Sequence, residues 1–278
     1  MDAALNTHDL ELTRSAAFHA AAGSPSRFHV DLFSGIGGFA IAAQCAGIKT
    51  IGFAEIDTYA TKVLNRHWPH VPNFGDVRNI TAQSITVPVF VLTGGFPCQP
   101  FSEAGKQAGR EDDRYLWPEM FRVIKALRPA WVLGENVPPL IELALDQVLD
   151  DLESAGYSTQ SFVIPAGAVG ARHRRDRVWI LAHAAGEHGN QSLCERPADK
   201  WACPSANGPE FRTDSADDFG WTPEPSICRV DDGIPNRVDR NRGLGNAIVP
   251  ELAFRFFQMM IESERTWMEN DQAQRAQD

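Results

Sequence analysis

Short apolar runs alternate with segments of helical periodicity from Phe28 to Ala182. The predicted strands are Phe28–Phe33, Thr50–Ala54, Val89–Thr93, Trp131–Gly134, Thr159–Pro165 and Arg177–Ala182. The predicted helices are Phe39–Ala46, Asp57–His67, Trp117–Leu127, Leu143–Ala155 and Ile248–Ile261. Strands that alternate with helices indicate an α/β fold, with a doubly wound and mostly parallel sheet covered by helices on both faces. The last two strands suit a hairpin.

The pattern fades in three regions, which divides the chain into domains. Residues 1–27 are rich in Ala, Ser and Thr and predict a flexible N-terminal extension. Residues 184–242 are polar and rich in Gly and Pro, and they are too long for a plain loop, so we expect a small irregular domain. Residues 28–183 together with 243–262 form the main domain. The polar residues 263–278 predict a flexible tail that frays.

Composition narrows the class of protein. No stretch of the 278 residues approaches the roughly 18 apolar residues of a membrane span, and the N-terminus lacks the pattern of a secretory signal. Five scattered cysteines indicate reduced thiols and an intracellular chain. A zinc site that combines Cys194, Cys203 and Cys228 with His183 and His188 is conceivable. Because these cysteines form no Cys-x-x-Cys pair, we expect no metal.

The net charge of −10 is unusual for a protein that binds nucleic acid. Net charge describes an average, however, and basic side chains cluster at residues 172–177 and 237–242. Acidic side chains concentrate elsewhere, at residues 142–153 and after residue 262. A local basic face on an acidic protein is therefore compatible with a nucleic-acid partner.

A glycine-rich turn, Asp31–Phe39, joins the first strand to the first helix. Its glycines let the backbone turn sharply and approach a ligand closely. Glu55 ends the next strand, where an acid can hold ribose hydroxyls, and Asp76 suits an adenine amino group. The glycine spacing is not that of a dinucleotide site, so a nucleoside cofactor without phosphates, commonly S-adenosylmethionine, fits better. A purely structural turn, or one that serves another ligand, is the alternative.

A second cluster of candidate residues follows the later strands. Cys98 stands between two prolines in Gly94–Ser102, directly after a strand, as expected for a positioned nucleophile rather than a core cysteine. In a doubly wound sheet, ligands bind outside the carboxyl ends of the strands, so this loop opens beside the cofactor pocket. Glu135 ends a neighbouring strand, and Arg175-Asp176-Arg177 opens the last one. Taken alone, these charged residues are equally well explained as a solvated turn and a strand edge.

In combination, these segments resemble the C5-cytosine DNA methyltransferase family, in family order, from Phe28 to about Phe257. The matching motifs are Asp31–Phe39, Gly94–Ser102, Glu135-Asn136-Val137, Arg175-Asp176-Arg177 and Gly243–Pro250. The resemblance implies a Rossmann-like class I methyltransferase fold with a small target-recognition domain. Two features depart from the family pattern: Arg172-His173 replaces the usual Pro-Gln, and Gly233-Ile234-Pro235 only faintly echoes the ninth motif.

The resemblance also implies roles for individual residues. Cys98 attacks carbon 6 of cytosine, Glu135 acts as a hydrogen-bonding acid at N3, Arg175 holds O2, and Arg177 braces the loop or the Cys98 region. The residues expected at S-adenosylmethionine are Asp31, Phe33, Ser34, Gly35, Gly37, Gly38, Glu55, Ile56, Asp76, Val77, Pro97, Asn246 and Ala247. The residues expected at DNA are Gln99, Ser102, Lys106, Arg110, Arg114 and Arg174.

The implied substrate is double-stranded DNA, from which the target cytosine must be flipped. We expect a monomeric enzyme of a bacterium or phage, cytoplasmic and associated with the nucleoid, with a cognate restriction endonuclease as a partner. Two alternatives stay open: an RNA cytosine-5 methyltransferase on the same scaffold, and a catalytically inactive binding homologue. The intact set of Cys98, Glu135 and Arg175 argues against the second.

Overall fold

The computed structural model describes residues 27–97, 115–171, 174–184 and 243–275, apart from the side chain of residue 271. Its strands are β1 Phe28–Leu32, β2 Lys49–Ala54, β3 Val91–Gly94, β4 Trp131–Asn136, β5 Tyr157–Pro165 and β6 Asp176–Ala184. Its helices are α1 Gly38–Cys45, α2 Thr58–His67, α3 Trp117–Leu127, α4 Leu140–Leu143, α5 Leu145–Ser154 and α6 Pro250–Arg275. The predicted alternation of strands and helices is confirmed over these ranges.

The strands form one six-stranded sheet in the order β2-β1-β3-β4-β6-β5. The first four strands are parallel, whereas β6 runs antiparallel to both β4 and β5, which confirms the hairpin. The chain leaves β1 towards β2 on one side and returns at β3 on the other. This reversal is the topological switch point at which doubly wound folds bind ligands.

Apolar clusters cover both faces of the sheet. Val30 and Leu32 of β1 face the apolar cluster that includes α3 and α5. On the opposite face, Phe39 of α1 and Phe257 of α6 belong to a second apolar cluster. His29 and Asp31, which alternate with Val30 and Leu32 along β1, are polar and nevertheless fully buried. Burial of a polar side chain is costly unless it is hydrogen-bonded, so the partners of these two residues matter.

Two helices differ from the sequence prediction. The helix expected over residues 143–155 is confirmed as α5 but begins only at Leu145, because the chain breaks at Ala144, where φ is −156°, and Leu143 belongs to the separate helix α4. The last helix continues to Arg275 instead of ending at Ile261, so the frayed tail predicted from residue 263 is helical over this range. Its extension is stabilised by a long-range contact, since the Trp267 ring stacks on Trp131 with centroids 5.8 Å apart.

Two predictions from the sequence, that the chain has no membrane span and no metal site, can be compared only with the described ranges. None of the helices in the described ranges is long and apolar enough to cross a membrane. Over those same ranges, no three His, Cys, Asp or Glu side chains are grouped as metal ligands would be. His183 instead packs between the rings of Trp131 and Trp267, at 4.3 and 4.5 Å. The other candidate zinc ligands, Cys194, Cys203, Cys228 and His188, lie outside the described residues. Residues 1–26 and 185–242, for which an extension and a small irregular domain were predicted, also lie outside them.

Candidate active site

The predicted site residues that the structure describes lie towards one edge of the sheet, where the parallel strands end. The parallel strands β1, β2, β3 and β4 all end there, and β6 begins there because it runs in the opposite direction. The register places Glu135 of β4 opposite Trp179 and Asn136 opposite Val178. Residues just before Val178 therefore lie beside the end of β4. Topology alone thus brings the Glu-Asn-Val and Arg-x-Arg segments together.

The glycine-rich turn after β1 is compact and depends on left-handed backbone. Phe33, Gly35 and Gly37 have φ values of 54°, 53° and 88°. A side chain at Gly37 is excluded, because its Cβ would lie 2.5 Å from the Trp68 ring. The Ser34 hydroxyl donates to the Asp31 carbonyl at 2.7 Å, which locks the first residues of the turn. Ser34 and Gly38 are themselves buried, so they contribute to the shape of the turn.

Glu55 ties the end of β2 to this turn. Its Oε2 accepts from the Gly35 amide and its Oε1 from the Asp57 amide, both at 2.7 Å. Asn73 holds the Glu55 backbone from both sides, because its Oδ1 accepts from the Glu55 amide and its Nδ2 donates to the Glu55 carbonyl, both at 3.0 Å. Sequence reasoning found Glu55 from its spacing and missed Asn73, whose position after an irregular loop carries no such signal.

The other residues expected beside the cofactor have contrasting surroundings. Ile56 is 71% exposed, an unusual state for a large apolar side chain directly after a strand. Asp76 accepts from the Arg78 amide at 2.9 Å and pairs with the Arg78 guanidinium at 3.5 Å. Val77 is buried, and its carbonyl accepts from Arg122 at 3.0 Å. Ile56 and Asp76 are therefore accessible to a ligand, whereas the Val77 side chain supports the core.

The C-terminal segment that precedes α6 packs against the glycine-rich turn. Residues 243–246 are helical, and the Ala247 amide donates to the Gly243 carbonyl at 3.0 Å. A Cβ at Gly243 would lie 3.2 Å from Ile36, and a Cβ at Gly38 would lie 2.7 Å from Ile248. Asn246 and Ala247, predicted to contact the cofactor, are thus carried by a segment that touches the turn at two points.

Asp31 was predicted as a cofactor contact, but its carboxyl group is fully buried beneath the turn. Thr93 donates to Asp31 Oδ1 at 2.7 Å, and His29 Nε2 lies 2.8 Å from the same Thr93 oxygen. His29 Nδ1 lies 2.9 Å from the Thr50 hydroxyl. Burial raises the pKa of Asp31 to about 8 and lowers that of His29 to about 3, so both are neutral near pH 7. Asp31 therefore joins β1 to β3 below the site.

The chain that leads to Cys98 is fixed by Asn136. The Asn136 side-chain amide donates to the Phe96 carbonyl at 2.9 Å, while its oxygen accepts from the Val137 amide at 2.9 Å. On the other side of the loop, the Leu116 amide donates to the Pro97 carbonyl at 3.4 Å. Sequence reasoning included Asn136 in a motif without a role. The last two described residues before the predicted nucleophile, Phe96 and Pro97, are thus each held by one of these hydrogen bonds.

Glu135 and Arg177 form an ion pair at the end of β4. Arg177 Nε lies 2.9 Å from Glu135 Oε1, and both side chains are largely buried. Burial raises the pKa of the Glu135 carboxyl, while the positive charges of Arg177 and Arg175 partly oppose that rise. A Cβ at Gly95 would lie 3.5 Å from Glu135 Oε2, so the second carboxyl oxygen faces the strand end that leads to Pro97.

Arg175 and Arg174 point to different surroundings. Arg175 has a φ of 39° and donates through Nη2 to the carbonyls of Gly245 and Ala247, both at 2.7 Å. Arg174 is 86% exposed and pairs with Asp176 at 2.9 Å, so it is free of the interior and available to a phosphate. Of the two arginines predicted as catalytic, Arg177 is therefore the one paired with Glu135.

The most reactive predicted residue and most of the predicted DNA contacts are not covered by the structure. They lie in residues 98–114, outside the described ranges. The roles assigned to them remain predictions from the sequence. The residues concerned are Cys98, Gln99, Ser102, Lys106, Arg110 and Arg114.

Comparison with known proteins agrees with this geometry. The family model described as C-5 cytosine-specific DNA methylase matches residues 28–224. The type II methyltransferase M.HgiCII of Herpetosiphon aurantiacus is 36% identical over 160 residues, which cover 55% of this chain and 36% of that protein. M.PspPI of a Psychrobacter strain is 42% identical over 141 residues, which cover 48% and 34%. The matched part therefore spans about a third of the length of these curated relatives.

Solved structures give the same fold. A DNMT2 variant from Spodoptera frugiperda superposes with a TM-score of 0.50 at 25% identity, over 57% of this chain and 50% of that one. Dnmt2 of S. pombe superposes with the same TM-score at 23% identity, over 60% and 53%. The second likeness concerns the fold alone. Both agree with the Rossmann-like methyltransferase sheet predicted from the sequence.

Proposed function

Because the chain belongs to the C-5 cytosine-specific DNA methylase family, we propose that it transfers a methyl group from S-adenosylmethionine to carbon 5 of a cytosine in double-stranded DNA. The observation that carries the proposal is the pairing of Glu135 with Arg177, 2.9 Å apart, at the strand end beside Gly95. A partly buried acid with a raised pKa is suited to hydrogen-bond a ring nitrogen of the base.

The chain's own residues carry the covalent step. The Cys98 thiolate adds to carbon 6 of the flipped cytosine, so the bond between carbons 5 and 6 becomes single and carbon 5 gains nucleophilic character. The negative charge that spreads over the ring is relieved by the proton of Glu135 at N3. After carbon 5 has gained the methyl group, loss of its proton restores the double bond and expels the Cys98 thiolate, and N3 returns its proton to Glu135.

The described residues fit an adenosyl cofactor. Glu55 keeps two carboxyl oxygens at the end of β2, where they can also accept from ribose hydroxyls, and Ile56 offers an exposed apolar surface for an adenine ring. Asp76 lies at the surface, where its carboxylate is free to accept from an amino group. When bound, S-adenosylmethionine supplies the methyl group as an electrophile on its sulfonium.

The relatives' names, type II methyltransferases, place those proteins in restriction–modification systems. We propose the same setting here, with a cognate restriction endonuclease as the partner. Bisulfite sequencing of DNA from cells that express the chain, compared with cells that do not, tests this proposal and reads out the target. Methylation at one short sequence is expected, and protection of that sequence from a cognate nuclease follows.

The reaction is tested by tritiated methyl transfer to duplex DNA and, in parallel, to tRNA. We expect transfer to DNA, complete loss of transfer in Cys98→Ser, and unchanged S-adenosylhomocysteine affinity of that variant by calorimetry. Substantial turnover by Cys98→Ser would contradict the covalent mechanism. Transfer to tRNA alone would replace the DNA substrate by RNA on the same chemistry.

A further inference from the structure

Arg175 lies in a strained backbone position that its surroundings must maintain. Its φ of 39° places a long L side chain in the left-handed region, which costs roughly 1–2 kcal/mol. Such outliers persist only where neighbouring contacts over-determine them, and they concentrate at functional sites. Asp176 follows directly as the first residue of β6, so Arg175 is the residue at which the chain turns into the sheet.

The contacts that hold Arg175 come from a distant part of the chain. Its Nη2 donates at 2.7 Å both to Gly245, 70 residues away, and to Ala247, 72 residues away. These carbonyls close the helical residues 243–246, and carbonyls at the end of a helical turn lack partners within the turn. Hydrogen bonds from a charged donor are about twice as strong as neutral ones. The guanidinium thus acts as a cap for this segment.

The capped segment belongs to the cofactor side of the site. It packs through Gly243 on Ile36 and through Ile248 on Gly38, both in the glycine-rich region. Two residues further along from Arg175, Arg177 pairs instead with Glu135 on the cytosine side. Arg175 and Arg177, which alternate along the entry to β6, therefore reach the cofactor side and the cytosine side of the site, respectively. Burial and the nearby charge of Arg177 lower the pKa of Arg175, while Glu135 raises it, so the three groups interact electrostatically.

We propose that Arg175 is a positioning residue that anchors the 243–249 segment at the cofactor site and couples cofactor binding to binding of the flipped cytosine. It does so in place of the predicted contact with the cytosine O2. Arg175 already holds the cofactor segment, and a base bound at Glu135 and Arg177 fixes the entry to β6 further and so strengthens that hold. Such coupling is reciprocal and typically changes affinity about 5–150-fold. This inference rests on the proposed function for the identity of the two ligands.

The decisive experiment measures S-adenosylhomocysteine affinity by calorimetry, with and without a duplex that bears the target sequence. Arg175→Met keeps the apolar stem and removes the donors, and Arg175→Lys restores a charged donor. Arg265→Met removes an exposed charge on α6 that has no assigned role in the site, and it is the matched control. We expect Arg175→Met to weaken affinity at least 10-fold and to abolish the gain from DNA. Arg175→Lys should recover part of both, and Arg265→Met should match the wild type.

Steady-state kinetics separate a positioning role from contact with the base. The proposal expects Arg175→Met to raise KM for S-adenosylmethionine more than it lowers kcat. Normal cofactor affinity combined with a large loss of kcat or of DNA binding would overturn it and return Arg175 to the cytosine O2. A general loss of structure is detected by circular dichroism and the melting temperature of each variant.

A second measurement uses the wild type, so it does not depend on a variant that folds. Amide hydrogen exchange over residues 243–249 should slow when target duplex is added in the absence of cofactor, and unchanged exchange contradicts the coupling. If the wild type methylates neither DNA nor tRNA, the proposed function fails. Exchange over 243–249 in Arg175→Met then still tests the anchor, since faster exchange supports it and equal exchange does not.

Discussion

Two clusters of polar side chains on this sheet differ in their protonation and in their surroundings. The buried chain, Thr50–His29–Thr93–Asp31, runs across three strands, and its His29 and Asp31 have no solvent exposure. The edge group, Glu135 with Arg177 and Arg175, lies at the strand ends and contains an ion pair of 2.9 Å between Glu135 and Arg177. The first group keeps its titratable members neutral, whereas the second places an acid with a raised pKa beside two guanidinium groups.

The tautomer of His29 in the buried chain follows from the direction of the hydrogen bond between Thr93 and Asp31. Because the Thr93 hydroxyl donates to Asp31, His29 must donate from Nε2 to Thr93, and its Nδ1 then accepts from Thr50. The imidazole and the Thr50 and Thr93 hydroxyl donors each have one acceptor in this sequence, whereas Asp31 Oδ2, which carries the proton of the neutral acid, lacks a partner among the described residues. A neutral chain of hydrogen bonds with fixed donors and acceptors is suited to hold neighbouring strands together. The edge group, with its charged guanidinium side chains, is suited to a site where a substrate replaces solvent.

The largest difference between the two groups should appear in Glu135→Gln. The variant keeps the shape and hydrogen-bonding ability of the side chain but loses its ability to supply a proton. Because proton transfer by a positioned side chain typically contributes 10²–10⁴-fold, we expect kcat to fall by at least about 100-fold. Methyl transfer measured under saturating cofactor and DNA decides this, and a loss below 10-fold would mean that Glu135 does not act as the acid.

The buried chain should show the reverse pattern in Thr93→Val. The substitution conserves shape but leaves Asp31 Oδ1 and His29 Nε2 each without the Thr93 hydroxyl, and an unsatisfied buried polar group costs about 1–3 kcal/mol. We expect a loss of about 3 kcal/mol in the free energy of unfolding, measured by urea denaturation, with a modest effect on kcat. Thr86→Val, at an exposed threonine, is the control and should change stability by less than about 0.5 kcal/mol. Equal stabilities for the two variants would show that the buried chain supports nothing.

The edge group was largely predictable from the sequence, for a topological reason. The carboxyl ends of parallel strands lie at one edge of the sheet, so a residue that follows an apolar run, such as Glu135, is placed there whatever the details of packing. The helix Trp117–Leu127 was likewise found with its predicted bounds, because its apolar spacing is local information.

The buried chain and the partners of the arginines were not predictable, because they depend on distant contacts. His29, Thr50 and Thr93 look like ordinary strand residues, and only the register of β1 with β2 and β3 aligns them. Arg175 and Arg177 are both typical of the motif, and nothing local distinguishes a partner in β4 from one 70 residues downstream. The length of α6 similarly depends on Trp267 meeting Trp131.

The pH dependence of stability tests the neutral state of Asp31. Burial raises its pKa to about 8, with a further rise from Glu55 that the Thr93 hydrogen bond opposes. The folded state therefore retains a proton that the unfolded state has lost above about pH 4, so this contribution to stability is lost as pH rises towards 8. The slope approaches 1.4 kcal/mol per pH unit at most. Asp31→Asn mimics the neutral acid and should flatten the decline in urea midpoints between pH 6 and 8; an unchanged slope would show that Asp31 is ionised.

The smallest expected effect, and the sharpest for the edge group, is a change in the pH profile of Arg177→Met. Burial raises the pKa of Glu135, and the positive charge of Arg177 is the leading influence that lowers it. If a protonated Glu135 is needed at N3, activity declines as pH rises through that pKa. Removing Arg177 should therefore move the alkaline limb of kcat to higher pH, although the rate itself falls because an ion pair is broken. Arg174→Met, which removes an exposed charge nearby, should leave the limb in place. A limb that stays fixed in Arg177→Met, or moves to lower pH, would mean that Glu135 acts as a carboxylate and not as an acid. Glu135 and Asp31 would then differ in their charge, but Glu135 would not use a proton in the reaction.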